Sequence, residues 1–373
     1  MKLGIIARSE SRGLGIQTWE ACRHLNPDRV LLVEPKPAGW IQHPDRYARF
    51  DTTQVQWYQG QLHETTVRSW LDGLDVVYTA ESDYDRRMAG WCAEAGAALV
   101  RHVNPEQLAA QELRHAGRTV WWAATPWRLD HLPASTRVVP MPVAIERFRP
   151  APRATGKVSF LHVVGHQAQD DRAGSRTVAR AIEHIVRPCR LTVTCQNRRM
   201  DIGFNGTPTV EVDVQPRGIE DYWKLYKGHH VLIAPRRYGG LSLPTLEAAA
   251  AGMAIVMPDC SPNEGWPGMR LPVARRSTVL MRCGPVDVYD VHPETLAAAI
   301  TNLASDPDLV AGMSVGARRW AETQSWEALT PLWIEEFDRA YRSSFPGTPP
   351  TSTASGPGDG SGPPTASAIP AGR

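Results

Sequence analysis

The chain has no paired cysteines. Its six (Cys22, Cys92, Cys189, Cys195, Cys260 and Cys283) are scattered singly through 373 residues. That spacing excludes the common zinc motifs and a disulfide framework, and most of the six read as buried free thiols. An excess of one charge is missing as well. Lys and Arg number 41 against 39 Asp and Glu, a formal net charge of +2. Nothing in that balance drives the chain toward nucleic acid or an anionic membrane. No apolar run has the length of a membrane span. The opening residues, MKLGIIARSES, hold an apolar stretch too short for a signal peptide, and it reads as a first strand. A cytoplasmic protein is expected. No short-period repeat occurs.

What is present is enough for a large core. Apolar residues make up 42% and charged residues 21%, and the length suits two domains. The thirteen tryptophans divide between core and groove in a way that pattern alone does not sort. Short apolar runs alternate with helical spacing from the start. Leu3 to Ala7 is a strand, Ile16, Trp19, Cys22 and Leu25 mark one helix face, and Val30 to Val33 is a second strand. Between the first two lies Gly13-Leu-Gly15. Thr18 stands where a dinucleotide fingerprint needs its third glycine, which disfavours a nicotinamide dehydrogenase.

Further strands are expected at Asp75–Thr79, Ala97–His102, Val120–Ala123 and Arg137–Val139, with a helix over Arg86–Ala95. A linker rich in Pro and Gly, Pro150–Gly156, precedes a second α/β series. That series starts with Val158–Val164 and a glycine turn over Gly165–Gly174. Strands at Leu191–Thr194 and Val210–Val212 follow, then a helix over Ile219–Tyr226. The loop Cys260–Gly268 is expected to face a cleft. Helices are expected at Pro293–Leu303, Leu309–Thr323 and from Ser325 to about Arg342, with Ser325 as N-cap. Residues 345–373 are rich in Pro, Gly, Ser and Thr and read as a disordered tail.

One stretch stands out: VLIAPRRYGGLSLPTLEAAAAGMAIVMPD, Val231 to Asp259. Val231–Ala234 is a continuous apolar run, as in a parallel strand buried on both faces. Gly239 and Gly240 permit a tight turn. Ser242 suits an N-cap, and Pro244 the first helical turn. Thr245–Ala251 is strongly helical, Gly252 ends it, and Ala254–Met257 returns to the sheet. A helix N-terminus at the carboxyl ends of strands is a natural phosphate site. Glu247 sits in its first or second turn.

The order GGLSLPTLEAAAAGMAIV resembles the nucleotide-sugar motif of the GT-B glycosyltransferases, specifically the retaining family-4-like group. That motif carries two glutamates eight residues apart. Glu247 matches the second, and Gly239 stands at the first. The segment from Val138 to Phe148 is similar to the stretch that closes the first domain in the same group.

The resemblance implies an α/β fold of the GT-B type, two Rossmann-like domains facing across a cleft. The first, an acceptor domain, would cover residues 1–150 and the second, a donor domain, residues 156–330. A crossover helix, 331–343, would pack back on the first. It also implies a nucleoside-diphosphate sugar as donor and co-substrate, with no cofactor. Glu247 would bind the ribose. Gly240, Leu241 and Ser242 would present backbone N–H groups to phosphate. Gly13 and Gly15 would border the donor, and Arg172 with His166 or Arg237 would stabilise the departing diphosphate. Of Arg236 and Arg237, one is expected in the cleft, and Arg237 is taken as the donor ligand. His102 is the catalytic candidate on the acceptor side. Glu106 reads either as a carboxylate near the reacting centre or, the stronger reading, as a solvated helix start, and Glu264 as a further residue of the cleft loop.

Transfer on this plan needs positive charge at the diphosphate. Two Asp-x-Asp runs, Asp83-Tyr-Asp85 and Asp306-Pro-Asp308, are explained by helix-start and turn chemistry, so no metal is expected. The acceptor stays open between protein, glycan, lipid and modified nucleic acid. Two other readings remain: a non-catalytic sugar-nucleotide binding protein, and a nucleotide-sugar epimerase.

Overall fold

The computed structural model describes residues 1–35, 42–109, 112–151, 153–165, 170–196, 202–216 and 221–351, with residues 114–116 by backbone alone. Two parallel sheets organise it. The first is built from β1 (Leu3–Ala7), β2 (Arg29–Pro35), β3 (Thr52–Trp57), β4 (Val76–Ala80), β5 (Ala98–Val103), β6 (Thr119–Ala123) and β7 (Arg137–Val138). Their spatial order is β3-β2-β1-β4-β5-β6-β7. The covering helices are α1 (Gly13–Leu25), α2 (Glu64–Leu71) and α3 (Met88–Glu94). β1, β4 and β5 are buried at every position, which is why they read as unbroken apolar runs rather than alternating ones. The chain leaves β1 toward β2 on one side and β4 toward β5 on the other. The strand order therefore reverses between β1 and β4, and a crevice opens at their carboxyl ends.

The second sheet has the order β10-β9-β8-β11-β12-β13. Its strands are β8 (Ser159–Gly165), β9 (Cys189–Cys195), β10 (Val210–Gln215), β11 (Val231–Ile233), β12 (Ala254–Pro258) and β13 (Met269–Leu271). α4 (Ser175–Ala181) follows β8, and α5 (Leu243–Ala250) joins β11 to β12. The reversal here lies between β8 and β11. An antiparallel hairpin, β14 (Val273–Met281) and β15 (Gly284–Val291), extends from this half. Sequence pattern did not reveal it. Its Val286 and Val288 pack with Tyr238 against Trp127 of the first half, and Arg128 Nη1 donates to the Pro285 carbonyl at 2.7 Å.

Three helices end the described chain: α6 (Pro293–Ser305), α7 (Pro307–Thr323) and α8 (Trp326–Ser344). The Ser325 hydroxyl accepts from the Ala328 N–H at 3.1 Å and caps α8. The helix returns to the first sheet. Trp333 and Phe337 pack on Tyr78 and Trp122, Trp333 Nε1 donates to the Pro140 carbonyl at 3.0 Å, and Arg137 grips Glu336 through two nitrogens. One apolar core runs through both halves. No described helix is long and apolar enough to cross a membrane. Most of the expected tail, 352–373, lies outside the described residues.

Candidate functional site

A cavity of about 900 Å³ lies between the carboxyl edges of the two sheets. Its walls come from the loop after β1, the ends of β4 and β5, the turn before α4, and the start of α5. On the α5 side the sequence reading and the structure meet. Leu241, Ser242, Leu243 and Pro244 face the cavity. Among the described residues no hydrogen bond takes up the N–H of Leu241, Ser242 or Leu243, and Pro244 has none to give. The α5 N-terminus thus presents donors and the positive end of its dipole to the cavity. Ser242 has the extended backbone of a cap, but its hydroxyl pairs with Thr245 Oγ1 at 2.8 Å rather than with an N–H.

Glu247, on the second turn of α5, reaches the cavity floor and is 7% exposed. It accepts a hydrogen bond from the Tyr226 hydroxyl. Burial pushes its pKa up to about 7, the Tyr226 bond opposes the rise, and the charge on Glu20 adds to it. A carboxylate so placed is a strong acceptor for a hydroxyl that enters the cavity.

The basic groups differ from expectation. Arg172 faces the cavity, with Glu106 Oε1 3.4 Å away. Of the neighbouring pair it is Arg236 that lines the cavity. It is clamped by the Tyr238 carbonyl at 2.8 Å, the Leu241 carbonyl, and Glu106 Oε1 at 3.3 Å. Burial and the charge on Arg172 pull its pKa down to about 9, which still leaves it charged at neutral pH. Arg237, the expected donor ligand, points away. Its Nε holds Asp290 Oδ1 of β15 at 2.5 Å, and Nη1 bonds the Asp170 carbonyl. Alternation along the segment puts only one of two successive side chains on the cleft side.

Other expected residues are corrected too. Gly240 does not offer its N–H to the cavity, because Glu106 Oε2 takes it at 3.2 Å. Its carbonyl accepts from Thr125 Oγ1 at 2.8 Å. Gly15 faces inward: a Cβ there would stand 1.9 Å from the Glu10 carbonyl. It is a packing glycine for the loop after β1. Gly13 does face the cavity, with Leu243 Cδ1 3.3 Å from where its Cβ would be. His102 is withdrawn as a catalytic residue. It lies sealed among Tyr78, Trp122 and Trp333, with Nδ1 3.3 Å from the Tyr78 hydroxyl. Burial pushes its pKa down to about 3. The aromatic face that α8 lays on the sheet covers it. His166 lies outside the described residues. The Cys260–Gly268 loop does not line the cavity, and its Trp266 packs on Trp320 of α7 at 5.3 Å.

Glu106 was misread as solvated. It is fully buried, and its carboxylate crosses to Arg172, Arg236 and the Gly240 N–H of the other half. Two further residues were missed. Glu10 and Glu81 both reach the cavity from the ends of β1 and β4. The signal was available, since polar residues directly after buried parallel strands mark the ligand edge of such a sheet. The Asp-x-Asp runs serve structure. Asp85 accepts from the Leu62 N–H at 2.9 Å and pairs with Arg87, and Asp306 caps α7 through the N–H groups of Asp308 and Leu309. Glu20, His24 and Glu146 come together, but Arg23 and Arg147 supply their counter-charge.

No family model matches the chain. Over 318 residues it is 26% identical to D-inositol 3-phosphate glycosyltransferase of Saccharomonospora viridis, a span of 78% of this chain and 70% of that relative. In fold it is similar to sucrose-phosphate synthase from Thermosynechococcus elongatus, with a TM-score of 0.64 at 14% identity, over 92% of this chain and 100% of that one. HepE of Anabaena in complex with UDP-glucose gives 0.62 at 12%, over 91% and 100%. The two facing sheets with a returning terminal helix are the GT-B architecture. The fold is thus that of the GT-B glycosyltransferases, and the sequence likeness is to a glycosyltransferase.

Proposed function

We propose that this chain transfers a sugar from a nucleoside-diphosphate sugar to a hydroxyl of an acceptor, with retention of anomeric configuration and without a metal. The carrying observation is Glu247 in the cavity beside the open N-terminus of α5. The carboxylate suits ribose hydroxyls. The amides of Leu241 to Leu243, with Arg172 and Arg236, suit a diphosphate. As the bond from C1 to the phosphate oxygen breaks, its electron pair stays on the diphosphate, and these fixed donors take up the charge. That supplies from the chain what a metal supplies elsewhere. Retention rests on the likeness of the Gly239–Val256 segment to the retaining group. The relative named for inositol 3-phosphate and the neighbour holding UDP-glucose support the same reading. The six free cysteines suit a reducing compartment, the cytoplasm.

Calorimetry with UDP, GDP and ADP tests the donor site. One of them is expected to bind, and Glu247→Ala to weaken it about tenfold or more, the scale of a hydrogen bond to a charged group. Equal affinity in the two proteins removes Glu247 from the site. A second reading, a binding protein without turnover, draws on the engagement of Arg172 and Arg236 by Glu106. Donor consumption with a panel of acceptors separates the two, and the anomeric proton coupling of any product reports the stereochemistry.

A further inference from the structure

Arg237 turns its side chain away from the cavity, yet it stands directly behind a residue that faces it. Its backbone N–H donates to the Arg172 carbonyl at 2.9 Å, and its own carbonyl accepts from the Tyr289 N–H of β15 at 2.9 Å. The chain at Arg237 thus lies between the turn that carries Arg172 and the hairpin. The guanidinium repeats the link. Nε and Nη2 hold the two oxygens of Asp290 on β15, at 2.5 and 3.5 Å, and Nη1 bonds the Asp170 carbonyl just ahead of Arg172. One side chain therefore joins the hairpin to the turn through all its nitrogens.

The turn needs such support. Asp171 is left-handed at φ +50, a region that costs energy for a residue with a Cβ. Its carboxylate steadies it locally, accepting from the Ser175 N–H at 2.8 Å and the Arg176 N–H at 2.9 Å. Gly174 lies so close to the exit of β11 that a Cβ there would stand 2.1 Å from the Pro235 carbonyl. Tyr238 completes the mounting. Its hydroxyl bonds the Asp170 carboxylate, and its ring centre lies 6.0 Å from the Arg172 guanidinium carbon. The same ring packs with Val286 and Val288 of the hairpin against Trp127. The hairpin is fixed to the first half through Arg128 as well. It stands on both halves and backs the turn from behind.

Resting on the donor reading, in which Arg172 meets the diphosphate, we propose that Arg237 is the positioning residue for Arg172 and that it acts from the hairpin through Asp290. It touches no ligand. Its fork fixes the turn from Asp170 to Arg172, and the turn fixes where the Arg172 guanidinium stands in the cavity. Placement matters there because phosphate takes an arginine through paired N–H bonds of set geometry. Such a pair forms only when the guanidinium is held to within about half an ångström. Arginine is needed at 237 for a related reason. A planar guanidinium reaches a carboxylate along one edge and a carbonyl along another, whereas a lysine ammonium is a single point of charge.

The test uses the full chain and calorimetry with whichever of UDP, GDP and ADP binds wild type. Arg172→Ala is expected to weaken that nucleotide about tenfold or more, the loss of a charge-assisted hydrogen bond. Arg237→Ala should weaken it about fivefold, and Arg237→Lys by nearly as much, since an ammonium does not replace the fork. Asp290→Asn, at a partly exposed site, keeps an acceptor for Nε and should weaken it about twofold to threefold. The decisive reading is the double variant. If Arg237 acts through Arg172, adding Arg237→Ala to Arg172→Ala costs no more than about twofold further, whereas a general loosening of the fold lowers affinity in both backgrounds. Should Arg237→Ala fail to fold, the same comparison is made with Asp290→Asn. Losses that multiply in the double variant, or wild-type affinity in Arg237→Ala, overturn the positioning role. Wild-type affinity in Arg172→Ala overturns the place of Arg172 in the donor reading, and a wild-type chain that binds none of the three nucleotides overturns the reading itself. Either takes this proposal with it.

Discussion

Glu106 and Arg236 meet across the boundary between the two halves, carboxylate oxygen to guanidinium nitrogen at 3.3 Å, and they fill the space beside Gly239. A Cβ at 239 would stand 2.0 Å from Arg236 Nη2 and 2.9 Å from Glu106 Oε1. The position is also held at φ +125. This is a physical reason why residue 239 carries no side chain where the related motif carries a glutamate: the place is already taken by a carboxylate from the other half and its arginine.

Gly239→Ala is therefore expected to destabilise the chain by about 1–3 kcal/mol, the cost of backbone strain plus displacement of Arg236. A denaturant midpoint measures it. A midpoint equal to wild type means that Arg236 moves aside freely and that the slot is looser than the geometry shows.

Removing the other partner leaves charge without balance. Glu106 is fully buried and answers both Arg172 and Arg236. Glu106→Ala is expected to cost about 3 kcal/mol, the lower end for breaking a buried ion pair, since both arginines keep some access to water. Glu106→Gln retains an acceptor for the Gly240 N–H and should cost less. Equal losses for the two substitutions would show that charge is not what the site needs.

The sheet was legible because its strands are buried on both faces. β1 was read to the residue, and β4, β5, β8 and β12 to within one or two, from apolar runs alone. β14 and β15 escaped. No position of β14 is buried, β15 is buried only at Val286, Val288 and Val291, and β14 carries Arg275 and Arg276, so no continuous apolar run marks them. The site was legible where chemistry is local, as in α5, whose cap position, proline and Glu247 lie within six residues. It was not legible where a partner comes from afar. Glu106 looked solvated because Arg172, Arg236 and Gly240 stand 66, 130 and 134 residues on. His102 looked catalytic because the cover that removes it from the cleft is Trp333 on the last helix.

His102 gives a clear acid limb. Its pKa falls from 6.5 to about 3 on folding. Between those values the unfolded chain binds the proton and the native chain does not, so stability contributed above pH 6.5 is lost as the pH falls toward 3. His102→Phe should flatten that slope, and should leave nucleotide affinity within about twofold. A tenfold loss of affinity would return His102 to the site.

Glu247 acts in the opposite direction, and its proton is the sharper test. Folding raises its pKa from 4.5 to about 7. In that window the native chain holds a proton that the unfolded chain has lost. Its contribution is thus fully present below pH 4.5, declines as the pH climbs to about 7, and is constant beyond. The window overlaps that of His102, so only the single variants resolve the two slopes, and Glu247→Gln should remove the decline. Ligand binding adds a second readout. Ribose hydroxyls that donate to Glu247 favour its ionised form, which lowers its pKa in the complex. Binding of the nucleoside diphosphate near pH 6.5 should therefore release a fraction of a proton, seen as a calorimetric enthalpy that changes with the ionisation enthalpy of the buffer. The release should vanish in Glu247→Gln and fade well above pH 7, where the carboxylate is already charged. Identical enthalpies in two such buffers at pH 6.5 would mean that the nucleotide binds without touching this carboxylate.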